Sequence, residues 1–172
     1  MSAWIGLGGN LDDPRARIAA ALQRLAAEPG ITLLRRSRDY RTPPWGVADQ
    51  PDFVNAVAEL ETERPPRELL QVLLAVEAAL GRRRGASSRW GPRCIDIDLL
   101  TYDELELSAD DLQLPHPRMH LRAFVLVPLL ELEPGFVIPG RGPAAECLRR
   151  IEAEEIAAVT PLPAAATEGK TR

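Results

Sequence analysis

Cysteine is scarce in this chain. Its 172 residues hold only Cys94 and Cys147, far apart and outside any Cys-x-x-Cys spacing, which excludes a disulfide framework and a cysteine-based zinc site. Long apolar runs are missing too. None approaches the roughly 20 residues of a membrane span, and the N-terminus lacks the basic start and cleavable apolar segment of an exported chain. A cytoplasmic protein with no membrane attachment is therefore expected. Nor is there an excess of positive charge. The 21 Lys and Arg against 25 Asp and Glu leave a net charge of −4, which argues against nucleic acid as a partner. What remains is 45% hydrophobic and 27% charged, the composition of a soluble globular protein. A chain of this length forms one domain that buries roughly two-thirds of its unfolded surface. We expect that domain over residues 1–158, with 159–172 a disordered tail rich in Pro, Ala and Thr.

The most informative stretch is Arg89-Trp-Gly-Pro-Arg-Cys-Ile-Asp-Ile-Asp-Leu-Leu100. Asp96 and Asp98 stand two residues apart in an otherwise apolar run. On a β-strand alternate side chains leave the same face, so both acids point one way, roughly 6.5–7 Å apart. Ile95, Ile97 and Leu99 then take the opposite face and pack into a core. The two charges repel by about 2.5 kcal/mol at an effective dielectric near 20. A divalent cation reverses that sign, and adjacent carboxylates are what Mg²⁺ prefers. Upstream, residues 82–93 carry five arginines and no acid. Gly, Ser and Pro in this segment rule out a stable helix and predict a basic loop. Guanidinium forks grip phosphate oxygens in pairs. Together, the loop and the acid pair suit a polyphosphate carried with Mg²⁺.

Local patterns set the order of elements. Ala3 to Leu7 predicts a strand running into a Gly8-Gly9-Asn10 turn. Asp13 caps a helix with Pro14 at its first position, and Ile18, Leu22 and Leu25 form its apolar stripe. A second strand is predicted over 31–40, followed by a proline loop over 41–51. Phe53 to Glu61 alternates as a third strand, with Phe53, Asn55 and Val57 on one face and Val54, Ala56, Ala58 and Leu60 on the other. A helix opens at Pro65-Pro66 and closes at Gly81, with the stripe Leu69, Leu73, Val76 and Leu80. Glu77 sits on its flank and is expected to be partly buried. After the basic loop, the strand from Cys94 to Tyr102 precedes a loop at Pro115 and an apolar helix. The order β-α-β-β-α-β plus a C-terminal extension predicts an α+β, ferredoxin-like fold, an antiparallel sheet with helices packed on one face.

With these residues in view, the chain resembles the 6-hydroxymethyl-7,8-dihydropterin pyrophosphokinases of folate biosynthesis. The family's Arg-Trp-Gly-Pro-Arg segment, followed after two residues by Asp-x-Asp, stands complete at 89–98. Gly8-Gly-Asn-Leu11, Tyr40-Arg-Thr-Pro-Pro44 with Gln50-Pro-Asp-Phe-Val-Asn55, and His116 with Arg122-Ala-Phe124 match in order. The similarity runs over about residues 3 to 140. It implies ATP-dependent pyrophosphoryl transfer in which the pterin hydroxymethyl oxygen attacks the β-phosphorus and AMP leaves. Asp96 and Asp98 would hold two Mg²⁺ ions, with Arg82, Arg84 and Arg93 as phosphate-side cations. Loop closure carrying Trp90 would exclude water. Glu77, Arg84, Trp90, Arg93, His116 and Arg122 would serve the nucleotide. Phe53 and Phe124 would sandwich the pterin, Asn55 would read its polar edge, and Thr42, Pro43 and Trp45 would line the rim. The chain departs from the common pattern at Gly9 (Ser), Phe53 (Tyr in some relatives), Leu74 (often polar) and Pro117 (often aromatic). The implied partners are small molecules only, and the expected state is a monomer.

Two other readings fit parts of the chain. Asp96-Ile-Asp98 resembles the metal motif of nucleotidyl- and glycosyltransferases, although that reading leaves Phe53-Val-Asn55 and the proline loop without a role. A non-catalytic ferredoxin-like ligand-binding domain, its acids purely structural, is the third.

Overall fold

The computed structural model describes residues 1–44, 49–82 and 92–164. Strand β1 (Ser2–Gly9) leads to helix α1 (Pro14–Ala27), where Asp13 Oδ1 accepts the Ala16 N–H at 3.1 Å. This cap satisfies a donor that the first helical turn leaves over. Ile18, Ala21, Leu22 and Leu25 point inward, and Gly30, at φ +75°, turns the chain through a conformation that costs glycine little. Two short strands follow, β2 (Ile31–Arg36) and β3 (Tyr40–Thr42), then β4 (Phe53–Thr62), α2 (Pro66–Ala79) and β5 (Asp96–Tyr102).

Every pairing in the main sheet is antiparallel, in the order β5-β1-β4, with both β2 and β3 on the far edge of β4. This is the split β-α-β arrangement that the element order predicts. The strand expected over 31–40 is two strands. Where it breaks, Ser37 Oγ accepts the Val57 N–H at 2.9 Å while the Ser37 N–H donates to Val57 O at 2.8 Å. A side-chain hydroxyl thus takes the place of a carbonyl in the ladder, and regular pairing stops there. β1 also runs further than the expected Ala3–Leu7, because Gly8 stays paired with both β4 and β5 and Gly9 with β4 rather than turning.

Helices α1 and α2 cover one face of the sheet. Ile5, Leu7, Ala58, Leu60, Ile97 and Leu99 from the strands meet Ile18, Leu25, Leu69 and Leu73 from the helices. Ile95, Ile97 and Leu99 are all buried. Burying such side chains contributes about 1.5–3 kcal/mol each, so the three together outweigh the acid–acid repulsion near 2.5 kcal/mol. The register that turns Asp96 and Asp98 away from this core therefore wins.

The C-terminal extension builds a second layer, where the expectation was helices on one face. A hairpin of β6 (Leu107–Ser108) and β7 (Gln113–Leu114) and a 3₁₀ turn (Met119–Leu121) precede α3 (Ala123–Leu132). A second hairpin, β8 (Val137–Ile138) with β9 (Gly142–Pro143), leads into α4 (Ala144–Arg149), α5 (Ala153–Ala157) and β10 (Thr160–Pro161). Met119, Val125, Leu126, Leu129, Ile138 and Ala144 bury Trp4, Val57 and Leu100 on the opposite face. The expected tail begins too early at 159. Val159 is buried, β10 pairs with β3, the Leu162 N–H donates to Asp39 O at 2.8 Å, and Arg15 Nη2 donates to Pro163 O at 2.7 Å. Residues 165–172 lie outside the described residues.

Candidate active site

Where α3 and its neighbours leave the second face uncovered, a cleft of about 490 Å³ opens over β4, β1 and the edge strand β5. Register decides its floor. Gly8 pairs with Asn55 on one side and Asp96 on the other, and Gly6 pairs with Val57 and Asp98. Two residues without side chains thus separate a β4 row from a β5 row. At Gly8 the absence is required, because a Cβ there would stand 2.4 Å from Asn55 Oδ1.

Asp96 and Asp98 both line the cleft, as the same-face argument predicts. Asp96 accepts from Arg93 Nη1 and from Arg82 Nη1, and Arg82 Nη1 also donates to Glu77 Oε1 at 2.8 Å. Burial works against ionisation of Asp96, but the Arg82 and Arg93 guanidiniums outweigh it and hold the carboxyl below its usual range. Asp98 is placed differently. Among the described residues its nearest basic groups are the Arg122 guanidinium, with Nη1 at 3.7 Å, and the His116 ring, with Nε2 at 3.9 Å, both beyond hydrogen-bonding reach. Burial, then the charge of Asp96, push its carboxyl up to about 6. Its side chain keeps 38% of its surface open to the cleft, so a ligand can reach it.

His116 is held neutral. Burial, then the Arg122 charge, bring it down to about 4. Its Nδ1 accepts the Arg118 N–H at 3.1 Å, which leaves Nε2 carrying the proton and able to donate. Glu77 corrects an expectation. It is fully buried rather than partly so, and it stands behind the cleft, where its Oε1 takes both Arg82 and the Ile97 N–H at 2.7 Å.

Thr42, Pro43, Phe53, Asn55 and Phe124 line the same cleft. Asn55 Nδ2 donates to Thr42 Oγ1 at 2.9 Å, so its amide is oriented by a side chain rather than spent on a sheet edge. Phe124 is the ring beneath Arg122, whose guanidinium carbon lies 5.5 Å from its centroid. Trp45, Arg84 and Trp90 lie outside the described residues.

Several site residues escaped the sequence argument. Gly6 was signalled only by its place two residues before Gly8, and Gly8 only as part of the matched Gly8-Gly-Asn-Leu11 segment, with no role given to it. Asn10, read as part of a turn, is buried; it accepts the Arg93 N–H at 2.9 Å and donates to Gln50 Oε1 at 2.9 Å and Pro51 O at 3.0 Å. It therefore ties the stem of the basic loop to the end of the proline loop. Arg118 and Glu155 also line the cleft. Among the described residues no third His, Cys, Asp or Glu joins the acid pair as a metal cluster. Two carboxylates fit Mg²⁺ nonetheless, since that ion keeps several waters and takes its other ligands from substrate phosphates.

The comparisons agree with this geometry. Residues 4–134 match the family model described as 7,8-dihydro-6-hydroxymethylpterin-pyrophosphokinase (HPPK). A 2-amino-4-hydroxy-6-hydroxymethyldihydropteridine pyrophosphokinase of Methylorubrum extorquens is 53% identical over 138 residues, covering 80% of this chain and 86% of that protein. The enzyme of the same name from Pseudomonas aeruginosa is 44% identical over 79% of this chain and 83% of its own. That from Haemophilus influenzae is 37% identical over 94% and 99%. Among solved structures, wild-type Plasmodium falciparum HPPK-DHPS with pteroate superimposes with a TM-score of 0.67 at 13% identity. That likeness is one of fold, and it spans 86% of this chain but only 42% of that longer polypeptide. From the matched motifs to the assembled cleft, the chain belongs to the 7,8-dihydro-6-hydroxymethylpterin-pyrophosphokinase family.

Proposed function

We propose that this protein transfers a pyrophosphoryl group from ATP to the hydroxymethyl group of 6-hydroxymethyl-7,8-dihydropterin and releases AMP, a step of folate biosynthesis. One observation carries the reading. A single cleft joins a flat-ring end, built from Phe53, Phe124, Asn55 and Thr42, to an acid pair flanked by arginines. The pterin stacks at the first end, where a ring on an aromatic face is worth about 1–3 kcal/mol per contact. Its hydroxymethyl group then faces the phosphates at the other.

Asp96 and Asp98 would hold Mg²⁺, two ions in our reading, which supplies charge neutralisation to the triphosphate. Asp96 engages Arg82 and Arg93. These two guanidiniums would serve phosphate oxygens, and Arg84 joins them in this assignment. His116 Nε2–H and Arg122 face the nucleotide from the opposite wall, and Trp90 belongs to the loop that excludes water. Trp45 and Pro43 form the pterin rim. Within the cleft the pterin oxygen attacks the β-phosphorus, and the bond to the oxygen bridging α and β phosphorus breaks.

Neither ligand is a polymer or a lipid. No helix among the described residues is long and apolar enough to cross a membrane. A cytoplasmic monomer acting on two small molecules is the state we propose. Incubation with the pterin, ATP and Mg²⁺ tests the reaction. Pterin-dependent AMP and no ADP is expected; ADP as the nucleotide product would overturn the proposal.

A further inference from the structure

We propose that Arg118 is a further nucleotide-binding residue, whose guanidinium takes phosphate oxygens of the bound nucleoside triphosphate. The inference rests on the nucleotide reading of the cleft and adds to it a residue that no motif singled out.

Arg118 lines the same cleft as Asp96, Asp98, His116 and Arg122. Its backbone is fixed at both ends of the peptide unit. The N–H donates to His116 Nδ1 at 3.1 Å, and the carbonyl accepts the Leu121 N–H at 3.0 Å, at the head of the 3₁₀ turn. The main-chain contact that selects the His116 tautomer therefore also sets where the Arg118 side chain starts.

The electrostatics point to an anion. Arg118 joins Arg122 beside His116 in the lining of the cleft. Gathering like charges on one wall is unfavourable unless something negative is received there. Three arginines, Arg93, Arg118 and Arg122, line the cleft, against the acids Asp96, Asp98 and Glu155. When Asp96 and Asp98 are committed to divalent cations, that wall is left strongly positive. A neutral pterin ring gives it nothing to neutralise, whereas a triphosphate does. A planar guanidinium in the lining that also holds Asp98 suits paired phosphate oxygens. The plain alternative is a solvated arginine at the rim, which contributes only bulk.

Calorimetry with Mg²⁺ and ATP carrying a methylene in place of the α,β-bridging oxygen separates the two. Arg118→Ala should weaken this nucleotide roughly tenfold, in line with a hydrogen bond to a charged group. Arg118→Lys should recover part of the loss. Adenosine, which lacks phosphate, and the pterin should bind both variants as they bind the unaltered protein. Equal nucleotide affinity in the unaltered protein and Arg118→Ala would overturn the inference, as would a matching loss for adenosine or pterin. If the unaltered protein itself bound no nucleotide, the reading of the cleft would fall and this inference with it.

Discussion

At Asp98, burial and the charge of Asp96 favour the protonated carboxyl, while two guanidiniums keep its neighbour ionised. The folded chain thus binds the Asp98 proton more tightly than the unfolded chain, whose value is near 3.8. Stability of the metal-free protein then falls as pH rises from about 4 through about 6, and the loss is complete above that window. Asp98→Asn removes the cause. It should raise the Tm of metal-free protein at pH 7.5, with the gain vanishing near pH 4, while turnover is lost. Circular dichroism melts at the two pH values check this, and an unchanged or lower Tm at pH 7.5 contradicts it. His116, held down near 4, is neutral over the upper part of the window, so a fall in Mg²⁺ affinity just below pH 6 belongs to Asp98.

Between elements, Asn10 is the joint. Asn10→Ala leaves the Arg93 N–H without its acceptor and the Gln50–Pro51 segment without its donor. Urea denaturation should show a loss of about 1–3 kcal/mol. Turnover should fall as well, since Arg93 also holds Asp96; a variant as stable and active as the parent contradicts the role. That joint was invisible in the sequence because its partners lie 40 and 83 positions away. What could be read was local. The alternation in Phe53–Glu61 and Cys94–Tyr102, the Asp13–Pro14 helix start and the Leu69-Leu73-Val76 stripe all depend on near neighbours. The break at Ser37 depends on Val57, and the fit of Gly8 depends on Asn55 and Asp96 arriving in register. β10 read as tail because two residues, one of them Pro, carry no strand pattern; the edge of β3 and Arg15 make it one. The acid pair was legible because two carboxylates two residues apart declare one face on any strand.

Across the whole molecule, one sheet does two jobs. Its helix-covered face supplies the core, and its other face is only partly covered by the C-terminal layer, which leaves the cleft over β1, β4 and β5. Fold alone assigns no chemistry; the outward pair on β5 does. Binding of Mn²⁺ in place of Mg²⁺, counted by electron paramagnetic resonance with the methylene-bridged ATP analogue saturating, tests that pair most directly. The unaltered protein should hold two ions per chain. Asp96→Asn and Asp98→Asn should each lose at least one tightly bound ion, and each should turn over at least about a hundredfold more slowly. The same ion count and the same affinity in both variants would contradict the account.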